Sequence, residues 1–160
     1  MIIVLIEGIV LCFALLLVCV VNIQNGPIGG VHYYEDNVKK RVVELGLITS
    51  EKIKYNRMLS GCAFMFALMI IAPLMVFKVN GVNTFKEGFI QLIIMYLECG
   101  IFDRIFIDWY WVGHTKAWII PGTEDLMPYI NKKTWTKKII LTLTLYPLLA
   151  ALLSLICASL

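Results

Sequence analysis

Charge is what this sequence has least of. Only 16% of its 160 residues are Asp, Glu, Lys or Arg, against 60% apolar or aromatic, and mean hydropathy is +0.83. A soluble domain needs a solvated polar surface, so this composition excludes an ordinary soluble globule and predicts a single integral membrane domain over residues 1–160. Paired cysteines are missing too. Cys12, Cys19, Cys62, Cys99 and Cys157 are odd in number, lie in apolar segments and form no CxxC motif, so they are expected to be small buried hydrophobes.

A basic stripe with interleaved base-stacking aromatics is also absent, and no nucleic-acid partner is expected. The net charge of +3 comes from lysines in two loops, a pattern that suits membrane lipids as partners. The opening segment, MIIVLIEGIVLCFALLLVCVV, has neither a basic leader nor an A-x-A-like cleavage site, and Val18 occupies the place where a lipobox needs a small residue. It reads as a retained first span.

Four stretches are long enough to cross ~30 Å of hydrocarbon as helices: about 1–22, 58–77, 85–108 and 139–160. The expected fold is all-α, a four-helix transmembrane bundle with a small cap of short helices. Pro73 and Pro147 should bend their spans without breaking them. The loops 23–57 and 109–138 hold Lys39, Lys40, Arg41, Lys52, Lys54 and Arg57, and Lys116, Lys132, Lys133, Lys137 and Lys138, whereas the loop between spans two and three holds only Lys78 and Lys86. By the positive-inside rule both basic loops are cytoplasmic and both termini outside. Trp109, Trp111, Trp118 and Trp135, with Tyr33, Tyr34, Tyr55, Tyr110 and Tyr129, would form an aromatic belt on that side.

Local signals refine the loops. Val38, Val42 and Leu45 recur at helical spacing and end at Gly46, predicting a short amphipathic surface helix. Thr49 or Ser50 should cap the helix leading into the second span, Asn80-Gly81 marks a turn, and Thr84 with Glu87 forms a capping box. Pro121-Gly122 predicts a tight turn, with Thr123 capping an acidic helix start.

The charges that remain inside apolar segments draw attention. The second and fourth spans have no ionisable acid or base other than Tyr146, so intramembrane charge is confined to Glu7 on the first and to Glu98, Asp103, Arg104 and Asp108 on the third. Such groups usually face a bundle interior, a partner or water, which predicts that the first and third spans are neighbours or meet across a homo-oligomer interface. Arg104 and Asp108 are i, i+4 partners and should pair, with Asp103 projecting off the other side. An unbroken helix to Trp111 places Glu98 roughly 20 Å above the belt. A break at Gly100 would instead lay IFDRIFIDWYW along the interface. Glu7 and Glu98 are candidates for a proton or cation relay, or for protonated groups that fix packing.

A second set, Asp103, Asp108, His114, Thr123, Glu124 and Asp125, falls at the cytoplasmic interface, with Lys116, Lys132 and Lys133 nearby. Carboxylates with a histidine and lysines are what a headgroup transferase would use, but no strict ligand spacing is present. No metal site is therefore predicted, and no cofactor can be named. His32, in GGVHYYED, reads as a surface-loop histidine.

The stretch IDWYWVGHTKAWIIPGTE, residues 107–124, resembles a segment of uncharacterised small multi-pass membrane proteins of bacteria, in which an Asp-Trp at the end of a span is followed by a Pro-Gly-Thr-Glu turn. The resemblance singles out Asp108, Trp109, Pro121, Gly122, Thr123 and Glu124 and implies a bacterial integral membrane protein with no activity attached. The four-span glutathione and eicosanoid enzymes are similar in size, but their Arg-rich, Asn-containing second-helix pattern is absent from residues 49–77. The leading functional expectation is a membrane binding or transport module whose polar site on the third helix opens to the cytoplasm. The alternatives are a lipid-headgroup enzyme at that interface and a structural or regulatory subunit.

Overall fold

The computed structural model describes residues 1–159, so the predicted end of the fourth span at Leu160 lies outside the described residues. Those residues are helical with no strand. There are five α-helices among them, α1 (Ile2–Ile23), α2 (Asp36–Glu44), α3 (Ser50–Phe66), α4 (Phe85–Phe102) and α5 (Lys132–Ala158), with 3₁₀ segments after α1 and before α5 and π-helical segments after α3 and α4. Three helical runs are long and apolar enough to cross a membrane: Ile2–Ile23, Ser50–Val79 and Lys132–Ala158. The expected third span forms a helix too, but Lys86, Glu87 and Glu98 fall within α4 and set it apart from the others in composition.

α4 packs between α1 and α5, and α3 lies against α1. The inward residues of α4 are Gly88, Leu92, Met95, Tyr96, Cys99 and Gly100, a helical stripe that mixes small and large groups. Small residues let helices approach closely. Gly100 does this against α5, since a Cβ there would stand 2.6 Å from Thr142 Cγ2 and 3.0 Å from Tyr146 Cε2. The helix does not break at Gly100; that glycine is where α5 comes near.

Beyond Phe66 the α3 helix widens into π turns at Ala67–Ile71 and Leu74–Val79, on either side of Pro73. In this i→i+5 ladder the Ala72 N–H donates to the Ala67 carbonyl. The next rung would run from residue 73 to Leu68, and Pro73 has no N–H to give. Tyr96 fills the vacancy, its hydroxyl donating to the Leu68 carbonyl at 2.6 Å from a fully buried position on α4.

Loop one (residues 23–57) and loop three (residues 109–138) knit into a cap. Tyr34 Oη donates to the Trp118 carbonyl at 2.9 Å, the Arg41 guanidinium meets both oxygens of Asp125 at 3.3 Å, and Glu35 Oε1 accepts from Asn131 N and Thr134 Oγ1. The apolar side of α2, Val38 and Val42, is buried in this protein core, so α2 hides those residues against the chain itself while Leu45 is exposed. Trp118 is likewise fully buried, edge-on to Trp111 at 5.0 Å, and is no part of an aromatic belt. Thr49 and Thr84 cap α3 and α4 as their sequences indicate, and α5 begins at Lys132 behind an Asn131 cap, well before residue 139.

Candidate functional site

At the foot of α4 the chain continues without a break into ten residues of π-helix, Asp103–Val112. Single π turns interrupting α-helices are frequent at functional sites. The wider winding changes which side chains share a face. Arg104 donates to Asp108, as the i, i+4 spacing anticipates, and to Asp103 as well. The expectation that Asp103 points off the other side is therefore corrected.

A fourth member comes from α5. Lys138 Nζ lies 3.0 Å from both Asp108 oxygens, and Trp135 Nε1 reaches the Arg104 carbonyl at 3.5 Å. Lys138, which the sequence places among the lysines of residues 109–138, is thus a member of this cluster, and no spacing along α4 signals it. The four charges sum to zero, and the Asp108 side chain is only 6% exposed. Enclosed charges need this completeness, because one left alone keeps its desolvation cost without the compensating attraction.

Asp108 also lines a cleft of about 570 Å³ beside this cluster, with Trp109, His114, Lys132 and Trp135 among its walls. The His114 Nδ1 donates to the Trp109 carbonyl at 2.6 Å. That leaves Nε2 as the ring nitrogen open to another partner. Lys132 is exposed, sits in the first turn of α5 and forms no ion pair among the described residues. The cleft thus joins two indole walls to a cation, an imidazole and the edge of a neutralised ion cluster.

The other predicted residues fall elsewhere. Glu98 is separate from the ion cluster. It packs on Gly8 of α1 so closely that a Cβ at Gly8 would collide with its carboxylate, and its Oε2 is buried with no hydrogen-bond partner among the described residues. It lines a different cleft of about 410 Å³ whose other walls, among them Ile9, Phe13, Ile101 and Phe106, are apolar. Glu7 is buried and accepts from Asn80 Nδ2 at 2.9 Å, and Asn80 also reaches Gln91.

The second predicted set divides in the same way. Glu124 accepts from Gly122 N, Asp125 pairs with Arg41, and Lys116 is exposed. Thr123 does not cap the following turn; its buried hydroxyl donates to the Ile120 carbonyl and meets Tyr129 Oη at 2.7 Å. Among the described residues no three His, Cys, Asp or Glu side chains converge as a metal site would require.

His32 is buried, not a surface histidine, and its Nδ1 donates to the Gly29 carbonyl at 3.1 Å. Burial lowers its pKa to about 4, with Arg57 and Lys39 adding to the effect against the Gly29 bond. Its imidazole is neutral at pH 7.

The chain matches no family model, no curated protein and no solved structure.

Proposed function

We propose that this protein is a four-span integral membrane protein, with α4 as its third span, that binds an amphiphilic ligand in the cleft at the foot of α4 and α5. Loops one and three lie on the cytoplasmic side of a bacterial inner membrane. α4 qualifies as a span because its neighbours shield it. α1 and α5 flank it, Lys86 and Glu87 sit in its first turn at the membrane edge, and Glu98 turns an oxygen onto Gly8.

The observation that carries the reading is the cleft of about 570 Å³, where Lys132 and His114 meet the indoles of Trp109 and Trp135. Indole groups favour the membrane interface, where one edge is apolar and the other wet. An amphiphile would place its polar head at Lys132 and His114 and its apolar part along the two rings.

Binding is favoured over transport and over catalysis by two features. Leu92, Met95, Tyr96 and Cys99 fill the interior above the ion cluster with fully buried groups, and Glu98 lies on another cleft, so a polar path would require a homo-oligomer. Asp108 has both oxygens engaged by Lys138, which makes it a poor general base or metal ligand.

Native mass spectrometry of protein released from nanodiscs formed directly from the membrane tests this. The wild type should retain a discrete amphiphile that Trp109→Ala/His114→Ala/Lys132→Gln loses. Identical adducts on both, or none on the wild type, would overturn the proposal.

A further inference from the structure

A second groove lies on the cap, between α2 and the start of α3, and none of its residues belongs to the cleft just described. Lys39, Lys40, Lys54 and Arg57 line it, with Ser50 and the single carboxylate Glu44, around a space of about 340 Å³. Lys39 reaches Asp36 at 3.0 Å, but Lys40, Lys54 and Arg57 form no ion pair among the described residues.

Four cations facing one space repel each other unless an anion joins them. Their field is felt by the groups around it: Lys39, Arg57 and Lys40 all hold Asp36 below the usual carboxylate range, the Lys39 hydrogen bond most, and Arg57 and Lys39 oppose protonation of His32. Ser50 opens α3, so the first-turn N–H groups add partial positive charge at the rim.

What lies beyond Arg57 on α3 indicates the source of the anion. One turn on, Gly61 has no neighbour within 4 Å of where its Cβ would be, and Met58 and Met65 on the same side of the helix are exposed. Ser50, Lys54, Arg57, Gly61 and Met65 follow at three- and four-residue steps, so the cationic groove runs directly into an open apolar helix face. A soluble phosphate compound would have no use for that face. An acyl chain would.

We propose that the α2–α3 groove is a binding site for the phosphate headgroup of an anionic phospholipid, with the acyl chains laid along the Gly61 face of α3. Lys40, Lys54 and Arg57 hold the phosphate, and the lipid clamps the cap to the membrane surface. Cations beside a span draw anionic lipid electrostatically, and a groove that shapes them makes the attraction local.

The test measures how spin-labelled phosphatidylglycerol and spin-labelled phosphatidylcholine associate with the full-length protein in phosphatidylcholine vesicles. The wild type should prefer phosphatidylglycerol several-fold, and Lys40→Gln/Lys54→Gln/Arg57→Gln, substituted at exposed positions, should lose that preference with its helix content unchanged. The control Lys116→Gln/Lys133→Gln/Lys137→Gln removes equal charge from loop three and should retain it. Equal association of both lipids with the wild type would overturn the proposal. So would equal losses in the two triple variants, which would mean diffuse charge, or displacement of the lipid by glycerol phosphate at ionic strengths where chloride has no effect, which would mean a soluble ligand. Trp109, His114 and Lys132 are untouched, so failure here is distinguishable from failure of the amphiphile cleft.

Discussion

Lys138 Nζ stands 3.0 Å from both carboxylate oxygens of Asp108, joining α5 to the foot of α4 across 30 residues of chain. This contact closes the charge balance that Asp103, Arg104 and Asp108 leave incomplete. Lys138→Met should lower stability by about 3 kcal/mol, the typical cost of stripping one partner from a buried ion pair. Asp108→Asn/Lys138→Met should cost less than the sum of the two single changes. Thermal unfolding in detergent measures both, and strictly additive losses would mean the pair is not coupled.

The Tyr96 hydroxyl replaces the donor that Pro73 lacks. Tyr96→Phe leaves the Leu68 carbonyl buried without its partner and should cost about 1 to 3 kcal/mol. Pro73→Ala restores an N–H to that rung, so Tyr96→Phe should cost clearly less in a Pro73→Ala background. An equal cost in both backgrounds would show that Leu68 is not served in this way.

Gly8 and Glu98 compete for one volume. Gly8→Ala should destabilise the α1–α4 contact, and Glu98→Ala should relieve much of that loss by removing the carboxylate the new methyl would strike. A double-mutant cycle in thermal stability reads the coupling. The same separation of sites predicts that Glu98→Gln leaves the amphiphile adduct intact; its disappearance would join Glu98 to the cleft at the foot of α4.

His32 gives the cap an acid-sensitive component. Its folded pKa, about 4, lies below the ordinary 6.5, so between those values the unfolded chain binds more protons than the folded one. Stability from this residue is fully present above pH 6.5 and falls as pH drops toward 4, by on the order of 3 kcal/mol in total. His32→Gln, which cannot titrate, should flatten that part of the unfolding-versus-pH curve. An unchanged slope would assign the acid sensitivity to other groups.

Much of the local structure was legible because its causes are local. Thr49 and Thr84 cap the helices they precede, Gly81 and Gly122 adopt the positive φ their turns require, and Arg104 meets Asp108 one helical turn away. His32 is buried despite a Gly-rich flank that resembles a surface loop, because nothing nearby in sequence signals that the cap folds over it. Thr123 was misjudged because its position suited a cap, while Tyr129 and the Ile120 carbonyl offered its buried hydroxyl nearer partners.

The amino-acid order alone determined an all-helical chain with three strongly apolar helices, since hydropathy and periodicity act over neighbouring residues. Only the tertiary structure decided that Glu98 parts from the ion cluster, that Lys138 completes it, and that Tyr96 serves Leu68. Those outcomes depend on which helix faces meet and on a π-helical stretch that changes which side chains share a face. No spacing along a single helix encodes a contact whose other half is supplied by a different one.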